Sequence, residues 1–117
     1  MLGICLGHQA IGLADGYELI RDPNGAVHGT PVKCENDGSG LFQNSSKLGQ
    51  YVRYNSLLIS GGNTKLLFAN AFDKYGSIMG LRHKNRPIHT VQFHPESIGS
   101  PSGIEIIKSF LDLSSDA

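Results

Sequence analysis

Gly3-Ile4-Cys5-Leu6-Gly7-His8-Gln9 joins an apolar stub, Met1 to Ile4, to a stretch of helical periodicity, and the fold follows from how that junction is read. Ile11, Leu13 and Ala14 give Leu6 to Asp15 a short helical pattern, and Gly16 stands where a helix would stop. A strand, a sharp turn and a helix are therefore expected in succession, with a cysteine at the turn. Outward from there, Tyr17 to Ile20 is a strand candidate, and Arg21 to Gly29, with Pro23, Asn24 and two glycines, reads as loop. From Pro31 the chain alternates, with Val32 and Cys34 on one face and Lys33 and Glu35 on the other, before the turn signals of Asn36 to Gly40 predict a hairpin. Tyr51 to Ile59, Lys65 to Phe72, Ser77 to His83 and Ile88 to Phe93 are further strand candidates. Ser102 and Glu105 form a capping-box pattern that opens a last helix, with Ile104, Ile107, Phe110 and Leu111 expected on one face. A strand-helix start joined to a strand-rich middle predicts an α/β architecture with a mixed sheet.

With 117 residues the chain fits one small domain, and ten basic against ten acidic residues give no basic patch for nucleic acid. No apolar run approaches a membrane span, and the start lacks the charged and apolar regions of a secretory signal. The expectation is a soluble, cytoplasmic protein that meets a small molecule or another protein surface. Two cysteines, Cys5 and Cys34, allow at most one bridge, and reduced thiols are expected. Five histidines and two cysteines show no zinc-ligand spacing, so neither metal nor cofactor is expected.

Two motifs carry chemistry. Around Cys5, flanking glycines allow a tight turn that lifts the sulfur out of the sheet and toward the N-terminus of the following helix, where the dipole favours thiolate. The backbone N–H of Leu6 would then face a developing oxyanion. A buried cysteine acting as a small hydrophobe accounts for the same residues. In Val91-Gln92-Phe93-His94-Pro95-Glu96-Ser97 an apolar strand ends in an imidazole, a proline and a carboxylate. Such a histidine can take a thiol proton and return it to a leaving amine, with Glu96 fixing its tautomer. A solvated strand end with incidental polar residues is the plain alternative.

Together, Gly-Ile-Cys-Leu-Gly-His-Gln and Val-Gln-Phe-His-Pro-Glu-Ser resemble class I (triad) glutamine amidotransferases. Val27-His28-Gly29, Val52-Arg53-Tyr54-Asn55-Ser56-Leu57 and Ile78-Met79-Gly80-Leu81-Arg82-His83 are similar to the glutaminase components of aminodeoxychorismate and anthranilate synthases, of which the former is preferred. The resemblance implies a flavodoxin-like class I glutamine amidotransferase domain, residues 1–117 forming its C-terminal part with the N-terminal part missing. It further implies Cys5, His94 and Glu96 as catalytic residues and Leu6 as an oxyanion donor. Gln9, Ser56 and Leu57 would hold glutamine, and His28 would face the partner. Ammonia would pass to a synthase subunit or fused domain that aminates chorismate, on the way to folate or tryptophan. Departures are Asn55 where the family has histidine, Thr90 where it has glycine, and the lack of the glycine-rich loop that supplies a second oxyanion donor. A γ-glutamyl hydrolase-like enzyme and a non-catalytic remnant that only binds its partner are the competing readings. The truncated chain is expected to be a poor catalyst and a marginal fold.

Overall fold

The computed structural model describes all residues except 26, 62–65, 98–99 and 116–117; the side chains of 27, 28, 30, 114 and 115 also lie outside the described part. In chain order the elements are β1 (Leu2–Ile4), α1 (Leu6–Ala14), β2 (Glu18–Arg21), β3 (Val27–Asn36), a 3₁₀ turn at Gly40–Phe42, and β4 (Leu48–Asn55). They continue as β5 (Leu57–Ser60), β6 (Leu67–Asp73), β7 (Ile78–His83), β8 (His89–Val91) and α2 (Gly103–Ser115). Six strands form one sheet in the order β1-β8-β7-β6-β3-β4, and β2 pairs with β5 in a separate ribbon. Only β1 and β8 run parallel, Ile4 opposite Val91; the other described pairings are antiparallel, so the sheet is mixed and the α/β expectation holds.

The core on one side joins Phe42, Tyr51, Met79, Phe93 and Ile106, with the Tyr51 and Phe93 rings stacked 3.8 Å apart. Tyr17, Ile59, Leu67 and Leu81 form a second cluster, with Ile11 of α1 packed on it. Both are what alternating apolar residues on opposite faces of a sheet produce.

Three expectations shift. The stretch read as one strand from Tyr51 to Ile59 breaks at Ser56, and its halves enter different sheets. The segment read as loop up to Gly29 already carries β3 from Val27, with a register shift between His28 and Thr30 where Gly29 takes φ 76°. The third concerns α2. It buries Gly103, Ile106 and Ser109, while Ile104 and Leu111 are exposed. The helix start sets this rotation, because the Gly103 backbone lies on the Pro95 carbonyl so closely that no Cβ fits. Ser102 Oγ accepts the Gln50 N–H at 3.1 Å, which ties that start to β4. The strand start expected at Lys65 lies outside the described residues.

Candidate active site

Cys5 follows the last residue of β1 and occupies the N-cap position of α1. Its φ of 53° makes it the one non-glycine with positive φ among the described residues. Such a backbone costs on the order of 1–3 kcal/mol and persists where neighbours enforce it. Here the Cys5 N–H donates to the Val91 carbonyl at 2.9 Å and its carbonyl accepts the Gln9 N–H at 3.0 Å, so β8 and the first turn of α1 clamp it from both sides. Gly3 permits the turn: a Cβ there would come within 2.9 Å of the Ile11 side chain and 3.0 Å of the Gly7 backbone. Gly7, by contrast, faces open space among the described residues, so only one flanking glycine is sterically required. Leu6 is the first residue of α1, where an N–H has no acceptor within the helix.

His94 leaves β8 three residues after Val91 and bridges to Val52 of β4, its N–H donating to the Val52 carbonyl at 2.8 Å. Cys5 and His94 thus stand at the carboxyl ends of two neighbouring parallel strands, where open α/β sheets present their sites. The His94 carbonyl accepts the Ser100 hydroxyl at 2.6 Å. On the ring, Nδ1 lies 3.1 Å from Glu96 Oε1, and the edge of the ring meets Tyr54 with centroids 5.5 Å apart. Imidazole and carboxylate are therefore brought together; among the described residues no hydrogen bond joins Cys5 to His94. Instead Cys5 Sγ accepts from Gln92 Nε2 at 3.7 Å.

A cavity of about 420 Å³ opens beside the sulfur, lined by Cys5, Leu6, Gln9, Tyr54, Asn55, Ser56 and Leu57. Every non-triad residue singled out for the site borders it. A larger cavity of about 680 Å³ lies elsewhere, around Asp22, Arg53 and Asp73, and touches none of Cys5, His94 and Glu96. Arg53 nevertheless reaches the site indirectly. Its buried guanidinium pairs with Asp22 at 3.0 Å and Asp73 at 3.3 Å, and its Nε donates to Asn55 Oδ1 at 3.0 Å. Asn55 Nδ2 in turn donates to the Leu57 carbonyl at 2.7 Å, on the cavity wall.

The remaining histidines are structural or outside the site. His8 is buried with Nδ1 2.7 Å from Thr90 Oγ1, and burial pushes its pKa down to about 3, so the ring stays neutral. The threonine that departs from the family pattern is thus its partner. Burial, then the N-terminal ammonium and Arg82, lower the pKa of His89. His83 Nδ1 accepts the N–H groups of Asn85 and Arg86 and closes a turn. The side chain of His28 lies outside the described part. Cys34 is fully buried, and desolvation first, then Asp73, push its thiol up to about 12. Gln92 and Arg53 escaped the residue reading: a glutamine inside an apolar strand was the visible signal for one, and nothing in the sequence pairs Arg53 with Asp22 and Asp73. No group of three or more His, Cys, Asp or Glu able to hold a metal occurs among the described residues, and no described helix is long and apolar enough to cross a membrane.

The α/β sheet thus sets a cysteine elbow at the end of one parallel strand and a His94–Glu96 pair beyond the end of the next. Residues 1–113 match the family model "Glutamine amidotransferase class-I", and the chain belongs to that family. An aminodeoxychorismate synthase of Streptomyces griseus is 41% identical over 113 residues, covering 97% of this chain and 15% of that protein. An anthranilate synthase component 2 of Cyanophora paradoxa is 40% identical over 114 residues, covering 96% of this chain and 60% of that protein. The chain therefore spans less than two thirds of either relative. Among solved structures, a GMP synthase component of Thermoplasma acidophilum superposes with a TM-score of 0.87 at 24% identity, over 98% of this chain and 57% of that one. At that identity the likeness speaks for the fold alone.

Proposed function

We propose that this chain carries the glutaminase chemistry of an amidotransferase that supplies ammonia to a chorismate-aminating synthase. The observation that carries the reading is the elbow geometry of Cys5 at the end of β1, beside β8, whose end bears the His94–Glu96 pair. Names of the similar proteins support the chorismate partner, since they include both aminodeoxychorismate synthase and anthranilate synthase component 2.

In this reading Gln9 and the Ser56-Leu57 backbone hold glutamine in the cavity, with its side-chain amide against Cys5. His94 takes the thiol proton, and the thiolate attacks the amide carbon. The Leu6 N–H stabilises the oxyanion of the tetrahedral intermediate. Collapse breaks the C–N bond, His94 returns the proton to the leaving nitrogen, and ammonia departs from a γ-glutamyl thioester. Water, deprotonated by His94, then hydrolyses the thioester to glutamate and regenerates the thiol. Glu96 holds the His94 tautomer throughout. The synthase partner, as a separate protein or a fused domain, receives the ammonia.

Ammonia release from glutamine in the full-length protein tests the proposal. Cys5→Ser is expected to lower the rate by at least about 10³-fold, whereas Cys34→Ser leaves it within about twofold in a protein that still folds, because Cys34 is fully buried and remote in role. Retained activity in Cys5→Ser would remove Cys5 as the nucleophile.

A further inference from the structure

We propose that Gln92 is a positioning residue for Cys5, holding the sulfur in its reactive orientation and stabilising the thiolate through a donated N–H. The proposal rests on the reading of Cys5 as nucleophile. Gln92 lies one residue beyond β8, is fully buried, and has its Nε2 3.7 Å from Cys5 Sγ.

The orientation of that amide follows from its partners. A backbone carbonyl can only accept, so the Gln9 atom 3.3 Å from the Leu57 carbonyl must be its NH₂. The same Gln9 nitrogen lies 3.1 Å from the Gln92 amide, which must therefore present its oxygen. The Gln92 NH₂ is left facing the sulfur. Leu57 is itself held, since its carbonyl also accepts from Asn55 Nδ2 at 2.7 Å, and Asn55 is fixed by the donor-only Arg53 Nε at 3.0 Å. Two sets of donors thus meet on the Leu57 carbonyl, one from the buried Arg53 through Asn55 and the other from Gln9, whose NH₂ also donates to Gln92 and so leads on to Cys5. Reversing the Gln92 amide would set two donors against each other at Gln9 and an acceptor against the thiolate. A donor aimed at an ionised sulfur favours the charged form, and such charge-assisted bonds are the stronger kind. Gln9 also changes meaning: with its NH₂ engaged twice, it can offer a ligand in the cavity only its carbonyl oxygen.

The test is iodoacetamide alkylation of Cys5 in the full chain, read by mass spectrometry across pH, with buried Cys34 as internal control. Gln92→Met keeps the volume and removes the donor. It is expected to move the alkylation profile to higher pH by about one unit and to slow alkylation about tenfold at neutral pH. Gln92→Glu, which places a carboxylate against the sulfur, should move it at least as far. A Met variant that folds as the parent does and alkylates with the parent's profile overturns the proposal. For the parent itself, the Gln92 side-chain NH₂ resonances of the ¹⁵N-labelled protein must shift over the same pH range as Cys5 alkylation; resonances flat across that range overturn it too, whatever the variants do. A displaced Met profile in a protein that hydrolyses no glutamine upholds the role of Gln92 while removing the glutaminase reading.

Discussion

Cys5 and His8 lie three residues apart on one turn of chain, and the structure treats them oppositely. Cys5 is strained, partly exposed and turned to a cavity; His8 faces inward against Thr90 and is kept neutral. His8 carries a consequence for stability. An unfolded His8 takes up a proton near pH 6.5, whereas the folded one resists protonation down to about 3. The unfolded state therefore binds more protons across that window, and stability contributed by this site is lost as pH falls below about 6.5. From pH 7 to pH 5 the loss from His8 is about 2 kcal/mol. His8→Asn keeps a short polar group near Thr90 and cannot titrate. Urea denaturation at the two pH values is expected to give a difference smaller by about 2 kcal/mol in the variant; an unchanged difference would mean that His8 does not control it.

Among the elements, α2 holds the histidine loop in place. Its first residue, Gly103, presses on the Pro95 backbone, and Ser100 hydrogen-bonds both the His94 carbonyl and the Val52 N–H. The backbone of His94 and Pro95 is thus fastened to the start of α2 and to β4. Gly103→Ala must push helix and loop apart, at about 1–3 kcal/mol, and should lower glutaminase activity in the full-length protein beyond what the stability loss explains. Gly7→Ala is the control within α1, since open space surrounds that position. There the better helix former is expected to stabilise by about 0.5–1 kcal/mol. Paired denaturation curves for the two variants check both signs, and a neutral Gly103→Ala would show that the helix start yields freely.

At the scale of the molecule, the buried Arg53 fastens three distant pieces: β4, the segment after β2 through Asp22, and the end of β6 through Asp73. Removing one partner of a buried ion network leaves uncompensated charge, at about 3–5 kcal/mol. Arg53→Met strands both carboxylates and also frees Asn55, so it is expected to destabilise by that amount and to weaken glutamine binding. Exchanging all three charges for apolar residues of similar size should recover much of the stability without restoring the cavity wall. Chemical denaturation together with KM for glutamine separates the two effects; equal KM in parent and Arg53→Met would detach the ion network from the site.

Short-range chemistry made much of this legible. The strand-turn-helix around Cys5, the alternation that buries Cys34, the strand-rich middle and the Gln-Phe-His-Pro-Glu strand end all rest on neighbours within a few residues, where period and turn chemistry operate. Three features belong to the tertiary structure. The chain leaves one sheet for another at Ser56 because β5 finds its partner in β2, some forty residues earlier, and no local signal encodes a partner. The face of α2 is chosen by the fit of Gly103 on Pro95 rather than by the apolar pattern, which two phases satisfy almost equally. The amide network between Arg53 and Cys5 draws on β4, β5, α1 and the end of β8 at once. Its polarity follows from a carbonyl that can only accept, and that constraint exists only after folding has brought these segments together.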